Sequence, residues 1–214
     1  MADAAGTAVR RNEERGAINE LDPTRTGLIV FDAVEQFRAG IEQRGALGPI
    51  VTLTQACRRA SIPAFFTRGD HRPDGTDRAR TLPDMDREHR PHVAASDTAT
   101  RGYVSGSGGA RYLAELEVSE KDYDVPKHRW SAFFATPLDL YLRSLGIDTL
   151  LIVGGSLHIG VASTIYSARD LDYQIVAVRE GCHAADAERD ALLDVIIPQV
   201  CHVAPLAEVL AAIS

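Results

Sequence analysis

The sequence predicts an α/β fold, a three-layer doubly wound domain built on a six-stranded parallel sheet. Three observations lead there. Short apolar runs alternate along the chain with stretches of helical periodicity, which favours interleaved strands and helices over segregated blocks. The runs are continuous rather than alternating apolar and polar, the pattern of strands buried on both faces. The length, 214 residues of which 45% are hydrophobic and 25% charged, suits one core, because single cores stop growing at roughly 250 to 300 residues.

The first twenty-five residues are polar and rich in Ala, Arg and Glu, so 1–25 reads as an arm ahead of a domain over 26–214. Strand one is GLIVF at 27–31, ending at Asp32. A helix is predicted over 50–60, with Ile50, Leu53 and Cys57 on one face, and strand two is PAFFT at 63–67. From 68 to 109 the chain is rich in Asp, Arg, Pro, His and Gly and has little periodicity. A loop that long inside a compact domain serves as a lid, a binding loop or an oligomer contact. Strand three is placed at 123–127, and a helix follows at 137–145 with Pro137 at a permitted first-turn position and Gly146 as its stop. TLLIV at 149–153 is strand four, followed by Gly154-Gly155 and a helix over 159–171. Strand five (173–178), a helix (187–196), strand six (199–203) and a closing helix (206–213) complete the order.

Composition excludes several classes. The cysteines Cys57, Cys182 and Cys201 are three in number and widely spaced, with no C-x-x-C pair, which argues against a disulfide framework or zinc knuckle and for a cytoplasmic setting. No apolar run approaches the roughly 18 to 20 residues of a membrane helix, and the first twenty residues lack a signal peptide's apolar core, so no membrane partner is expected. A net charge of −7 disfavours nucleic acid; the arginines at Arg78, Arg80, Arg87 and Arg90 are interrupted by acids.

In a doubly wound sheet, ligands bind outside the carboxyl ends of the strands. Three strand ends carry chemistry: Asp32 after GLIVF, Lys127 after YDVP, and 154–160 (GGSLHIG) after TLLIV. A carboxylate and an ammonium meeting in one crevice would tune each other's pKa, or would form a structural ion pair, and spacing alone does not separate the two.

The stretch from Lys127 to Leu142, with Ser131, Ala132, Phe133, Thr136 and Leu138 in register, resembles the K-x-x-x-S-A-F-x-x-T-x-L-x-x-x-L signature of the isochorismatase-like hydrolases. Gly146-Ile147-Asp148 before TLLIVGG, then Val161, Ser163, Thr164, Ala168 and Asp170, continue the likeness, which runs from 27 to about 205. Asp32 with Phe37 fits the family's D-x-Q-x-x-F, although Val34 replaces the glutamine. The resemblance implies an Asp, Lys, Cys triad in which a thiolate attacks a carboxamide carbon and backbone amides form the oxyanion hole. Here the nucleophile's position is Gly160. Cys182-His183 does not substitute, since neighbours on an extended chain point apart, and Cys57, Cys182 and Cys201 read as small core hydrophobes.

One branch, the isochorismatases and related vinyl-ether hydrolases, also carries glycine at this position and shares K-x-R-x-S-A-F-F and H-[VI]-G-V. Its implied mechanism needs no nucleophilic side chain: an aspartic acid protonates the enol-ether carbon and water adds to the oxocarbenium ion, with glycine leaving space for the substrate. The resemblance therefore implies catalytic roles for Asp32, Lys127 and Gly160. It also aligns Gly155-Ser156 with a cis peptide near the oxyanion site. Arg68 and Arg129 are candidates to bind an anionic substrate because Arg presents a planar fork to carboxylates, with Arg72 a weaker one; Trp130, Phe133 and Ser156 are further candidate contacts, and His158 reads either as a contact or as a hydrogen-bonded structural histidine. Ser156 replaces the polar aromatic residue of the isochorismatases, so the small anionic substrate is expected to differ. Open alternatives are C–N hydrolysis by an activated water and a silent relative that binds a ligand or partner. Nicotinamidases of the superfamily hold an ion at D-x-H spacing, but Asp70 and His71 are adjacent here. Asp70, His71, Asp74, Asp84, Asp86, His89 and His92 thus read as solvated residues or inter-subunit contacts; no metal and no cofactor is expected. The family's habit implies a homodimer or homotetramer.

Overall fold

The computed structural model describes residues 18–77 and 103–213. Residues 1–17 of the expected arm, most of the 68–109 loop, and Arg78, Arg80, Asp84, Asp86, Arg87, His89, Arg90 and His92 lie outside the described residues. Six parallel strands form one sheet in the order β3-β2-β1-β4-β5-β6: β1 is Thr26–Phe31, β2 Ala64–Gly69, β3 Tyr123–Lys127, β4 Thr149–Gly154, β5 Gln174–Cys182 and β6 His202–Ala204. The chain grows outward from β1 to β2 and β3, then returns to lay β4 on the other side of β1. The order thus reverses between β1 and β4, and the crevice of such a sheet opens there.

Every residue of β1 is buried, because helices cover both of its faces. Its alternate side chains enter different cores, as period two requires. Ile29 and Phe31 join Phe65, Val125, Leu150 and Ile152 beneath α3 (Leu138–Ser144) and α4 (Ala162–Asp170). Leu28 and Val30 join Phe66, Leu151 and Val153 beneath α2 (Leu47–Arg59) and α6 (Leu206–Ile213). No helix among the described residues is long and apolar enough to cross a membrane.

Four elements differ from expectation. A short helix α1 (Arg38–Gln43) follows a 3-10 turn at Glu35–Phe37. It buries only Ile41 and is held by Arg38, which pairs with Glu35, Glu42 and Glu115, so no apolar periodicity announces it. The helix expected at 159–171 begins instead with a π-helical turn, Leu157–Val161, closed by the Val161 N–H donating to Ser156 O at 3.3 Å. The helix expected at 187–196 is α5 (Asp186–Ala191) followed by a second π-helical turn, Leu192–Ile196. Strand β5 also runs on to Cys182 after a register irregularity opposite β4, pairing Cys182 with Gly154. Its polar residues Arg179 and Glu180 hid this extension, yet both point away from the core, Arg179 to Asp194 and Glu180 to the Leu206 N–H.

Candidate active site

Asp32 and Lys127 start on strands that are not neighbours, since β2 lies between them. Lys127 shares a face of its strand with Val125, the face packed beneath α3 and α4, and its long stem spans β2 towards β1. Asp32 would project from the opposite face if β1 continued extended. It does not continue: Asp32 adopts φ 50, a left-handed conformation that Asp tolerates better than most residues. Its N–H donates to Thr67 O at 3.1 Å, and the Val34 N–H donates to Asp32 O at 2.9 Å. The turn carries the carboxylate to the side of Phe31 and Lys127.

There Lys127 Nζ donates to Asp32 Oδ2 at 2.9 Å, with side-chain exposures of 5% and 7%. The ammonium also stands 4.5 Å from the centroid of the Phe31 ring, a cation–π contact. The other carboxylate oxygen, Oδ1, is buried without a hydrogen-bond partner. Burial raises the Asp32 pKa, and the charge of Lys127 and its hydrogen bond only partly offset that.

Gly160 lies within the first π-helical turn, and the space beside it differs from expectation. A Cβ at this position would overlap the edge of the Phe31 ring. The room that glycine was expected to leave for substrate is therefore filled by Phe31, which is 1% exposed. Thr164 Oγ donates to Gly160 O at 2.7 Å and accepts from the Ala132 N–H at 3.0 Å. Ser131 Oγ donates to Ser167 Oγ at 2.8 Å. Through the Ser131 side chain and the Ala132 backbone N–H, these bonds fasten the chain after Lys127 to α4. The Gly155-Ser156 peptide is cis.

The remaining candidates separate. His158 Nδ1 is 3.3 Å from Glu188 Oε2, and Ser156 is exposed on the same turn. Trp130 is 39% exposed, and Arg129 is exposed with its guanidinium donating to His128 O at 2.6 Å. Two expectations fail on geometry. Phe133 packs against Tyr173, 5.6 Å between centroids, and Tyr173 precedes β5, at the end of the sheet away from Asp32. Arg68 has the strand parity of Phe66, so it leaves β2 on the face opposite Lys127. There it is held by Asp70 at 2.6 Å and Asp124 at 2.8 Å, beside an open cavity of about 470 Å³ lined also by Ser107, Arg111 and Tyr112.

Sequence reasoning missed three neighbours of the site. Tyr103 lies over Gly69, where a Cβ would overlap its ring, and 5.7 Å from Phe37; burial and the Asp32 charge push its hydroxyl pKa up. His183 supports the cis-peptide loop, its carbonyl accepting from the Leu157 N–H at 2.9 Å and its N–H donating to Gly154 O at 3.1 Å. Third, His71 is not a solvated loop residue: it is 1% exposed and lies against Asp77 and His128. No local pattern announced Tyr103 or His183, because what places them is a long-range packing partner.

Burial, with a smaller contribution from Arg44, holds the His183 pKa down to about 4, against 6.5 in an exposed histidine. Between those values the unfolded chain binds a proton that the folded chain refuses, so stability falls as pH drops from about 6.5 to 4. The difference is about 2.5 units, or about 3 kcal/mol at full effect. Urea midpoints at pH 7 and pH 5 should differ less in His183→Phe than in the parent; an unchanged pH slope would remove the assignment. The Cys182 thiol is fully buried with its pKa pushed up to about 12, and it donates to Ile152 O at 3.5 Å. Cys182→Ala should therefore keep turnover within about threefold while costing stability on the order of 1 kcal/mol, as small core truncations do. Loss of turnover in that variant would make the thiol catalytic.

An isochorismatase domain model matches residues 26–208. The Bacillus subtilis (strain 168) isochorismatase family protein YwoC is 40% identical over 92 residues, 42% of this chain and 49% of that one, so the chain spans about half the length of this curated relative. The ureidoacrylate amidohydrolase RutB of Pseudomonas savastanoi pv. phaseolicola (strain 1448A / Race 6) is 27% identical over 192 residues, 82% of this chain and 78% of that one. Among solved structures, an isochorismatase family protein from Burkholderia thailandensis superposes with a TM-score of 0.75 at 26% identity, covering 92% of this chain and 99% of the other.

Proposed function

Because the chain belongs to the isochorismatase family, we propose that it is a hydrolase of a small anionic molecule working through Asp32 and Lys127 without a covalent enzyme intermediate, with a vinyl ether as the substrate class. The observation that carries this reading is the Asp32 carboxyl group. One oxygen is held by Lys127 and the other, Oδ1, is buried without a partner, while Gly160, which the sequence resemblance aligns with the nucleophile, has Phe31 against it. A buried ion pair adds little stability over apolar residues of the same volume. A carboxyl group with a raised pKa and one uncommitted oxygen suits proton transfer.

In the proposed reaction Asp32 Oδ1 gives its proton to the terminal carbon of the enol ether, and the C=C electron pair forms the new C–H bond. The resulting oxocarbenium ion takes up water at the carbon bearing the ether oxygen. Loss of a proton to the Asp32 carboxylate restores the acid, and the hemiketal collapses to an alcohol and a ketone, so one water is consumed per bond cleaved. Lys127 holds Oδ2 and neutralises the carboxylate left behind. Arg129, Trp130, Ser156 and His158 are the proposed substrate contacts. The acid must start protonated, so kcat should fall as pH rises through the elevated Asp32 pKa, tending to a tenfold loss per unit above it.

Similarity to RutB, an amidohydrolase, favours a second reading, C–N hydrolysis by a water activated at the same carboxylate. The test is turnover of enol-ether carboxylates and of ureido and carbamoyl acids in heavy water. Vinyl-ether cleavage places deuterium in the new methyl group of the ketone, whereas C–N cleavage forms no C–D bond. Deuterated ketone supports the proposal; turnover of the C–N substrates alone, or of none, overturns it.

A further inference from the structure

We infer that His71, Asp77 and His128 form a binding site for a borderline divalent cation such as Zn²⁺ or Co²⁺, pinning the loop after β2 to the residue that follows Lys127. The three residues come from two places in the fold. His71 and Asp77 belong to the turn leaving β2, and His128 directly follows β3, the neighbouring strand. Their donor atoms all lie within 4.8 Å of one another. His71 Nδ1 is 3.5 Å from one Asp77 oxygen, and His128 Nε2 is 3.2 Å from the other.

These separations are the core of the argument. Around a tetrahedral zinc with bonds of about 2.0 to 2.1 Å, neighbouring donor atoms stand about 3.3 to 3.4 Å apart. The two imidazole–carboxylate separations, one to each Asp77 oxygen, lie within about 0.2 Å of that length, and 3.5 Å is long for a direct charge-assisted hydrogen bond. The two imidazoles also lie against each other, edge to face at 5.2 Å between centroids. Asp77 is oriented by a partner of its own: the Arg72 N–H donates to both carboxylate oxygens, at 3.1 and 3.2 Å. A preset orientation of that kind is what outer partners give a metal-binding carboxylate.

Two imidazoles and one carboxylate suit zinc, cobalt or nickel rather than the all-oxygen shells of magnesium and calcium. The set is not a D-x-H arrangement, and it draws one donor from the strand that carries Lys127. A bound ion would fix the strand end holding that lysine and the turn below Tyr103, whose carbonyl accepts from the His71 N–H at 2.5 Å.

The test needs no substrate, so its outcome is independent of the hydrolytic reading. Full-length, tag-free protein is stripped with chelator and titrated with Co²⁺, followed by visible d–d absorption, and with Zn²⁺ by calorimetry. One equivalent is expected to bind with tetrahedral cobalt absorption. His128→Asn and Asp77→Asn should each weaken binding by about tenfold or more, while Asp74→Asn, an exposed carboxylate of the same turn, leaves it unchanged. His71 is too deeply buried for a clean variant, which is why the two more exposed ligands are changed. Absence of stoichiometric binding, or wild-type affinity in His128→Asn, overturns the proposal.

Discussion

Gly160→Cys, which puts a thiol at the position proposed to correspond to a family nucleophile, is expected to destabilise the protein by about 1 to 3 kcal/mol and to confer no thiol-dependent hydrolysis. The reason is the Phe31 ring, which occupies the volume a side chain at 160 would need and is itself anchored in the core and beneath Lys127. Shrinking the ring should release the conflict. Phe31→Val costs stability by itself, because it opens a cavity in a packed layer. Combined with Gly160→Cys it should cost less than the sum of the two single changes, by about 0.5 to 3 kcal/mol, since the new side chain fills part of the cavity. Urea denaturation of the four proteins measures this coupling. Additive effects would mean that Phe31 does not exclude the thiol. A covalent adduct with a carboxamide substrate, detected by mass spectrometry in the double variant and absent from both singles, would show that residues 31 and 160 together select the mechanism.

Asp32→Asn is expected to abolish turnover and also to lower stability by about 3 to 5 kcal/mol, because it leaves the Lys127 ammonium buried without its counter-ion. The two losses have different causes and can be separated. Asparagine accepts the left-handed backbone of residue 32, so the conformational part of the cost is small. Adding Lys127→Met removes the uncompensated charge and should recover most of the stability, while turnover stays absent. If the double variant regained activity, the pair would be structural. If Asp32→Asn kept wild-type turnover, proton transfer by this carboxyl group would be excluded. A pair kept for stability alone predicts a different pattern, in which activity follows the folded fraction in every variant.

The architecture was legible because a doubly wound sheet writes itself locally. Continuous apolar strands such as GLIVF and TLLIV, with helical periodicity between them, carry the class, the strand sequence and the burial of β1 on both faces. The strand ends that bear Asp32, Lys127 and Gly160 were legible for the same reason. Placing Phe133 and Arg68 at the site failed because neither a motif match nor side-chain chemistry says which face of the sheet a residue leaves by. Residue parity along β2 sends Arg68 to the far face, and the run of Ser131 and Ala132 along α4 carries Phe133 away from the site. The helix α1 was invisible because charges on Arg38, rather than an apolar stripe, hold it in place.

Sequence patterns were sufficient for the family's fold and for the glycine at 160, since both depend on residue identity and on periodicities of two and 3.6. They were silent on what fills that position. Phe31 is one more apolar residue of β1 in the sequence, and its ring reaches Gly160 only because β1 and β4 lie side by side and a π-helical turn brings the glycine back over the strand. The carboxylate's reversal at Asp32, the reach of Lys127 across β2, and the meeting of His71 and Asp77 with His128 likewise depend on which strands become neighbours. Contacts between residues far apart in the chain are set by packing the whole core at once, and no local pattern encodes them.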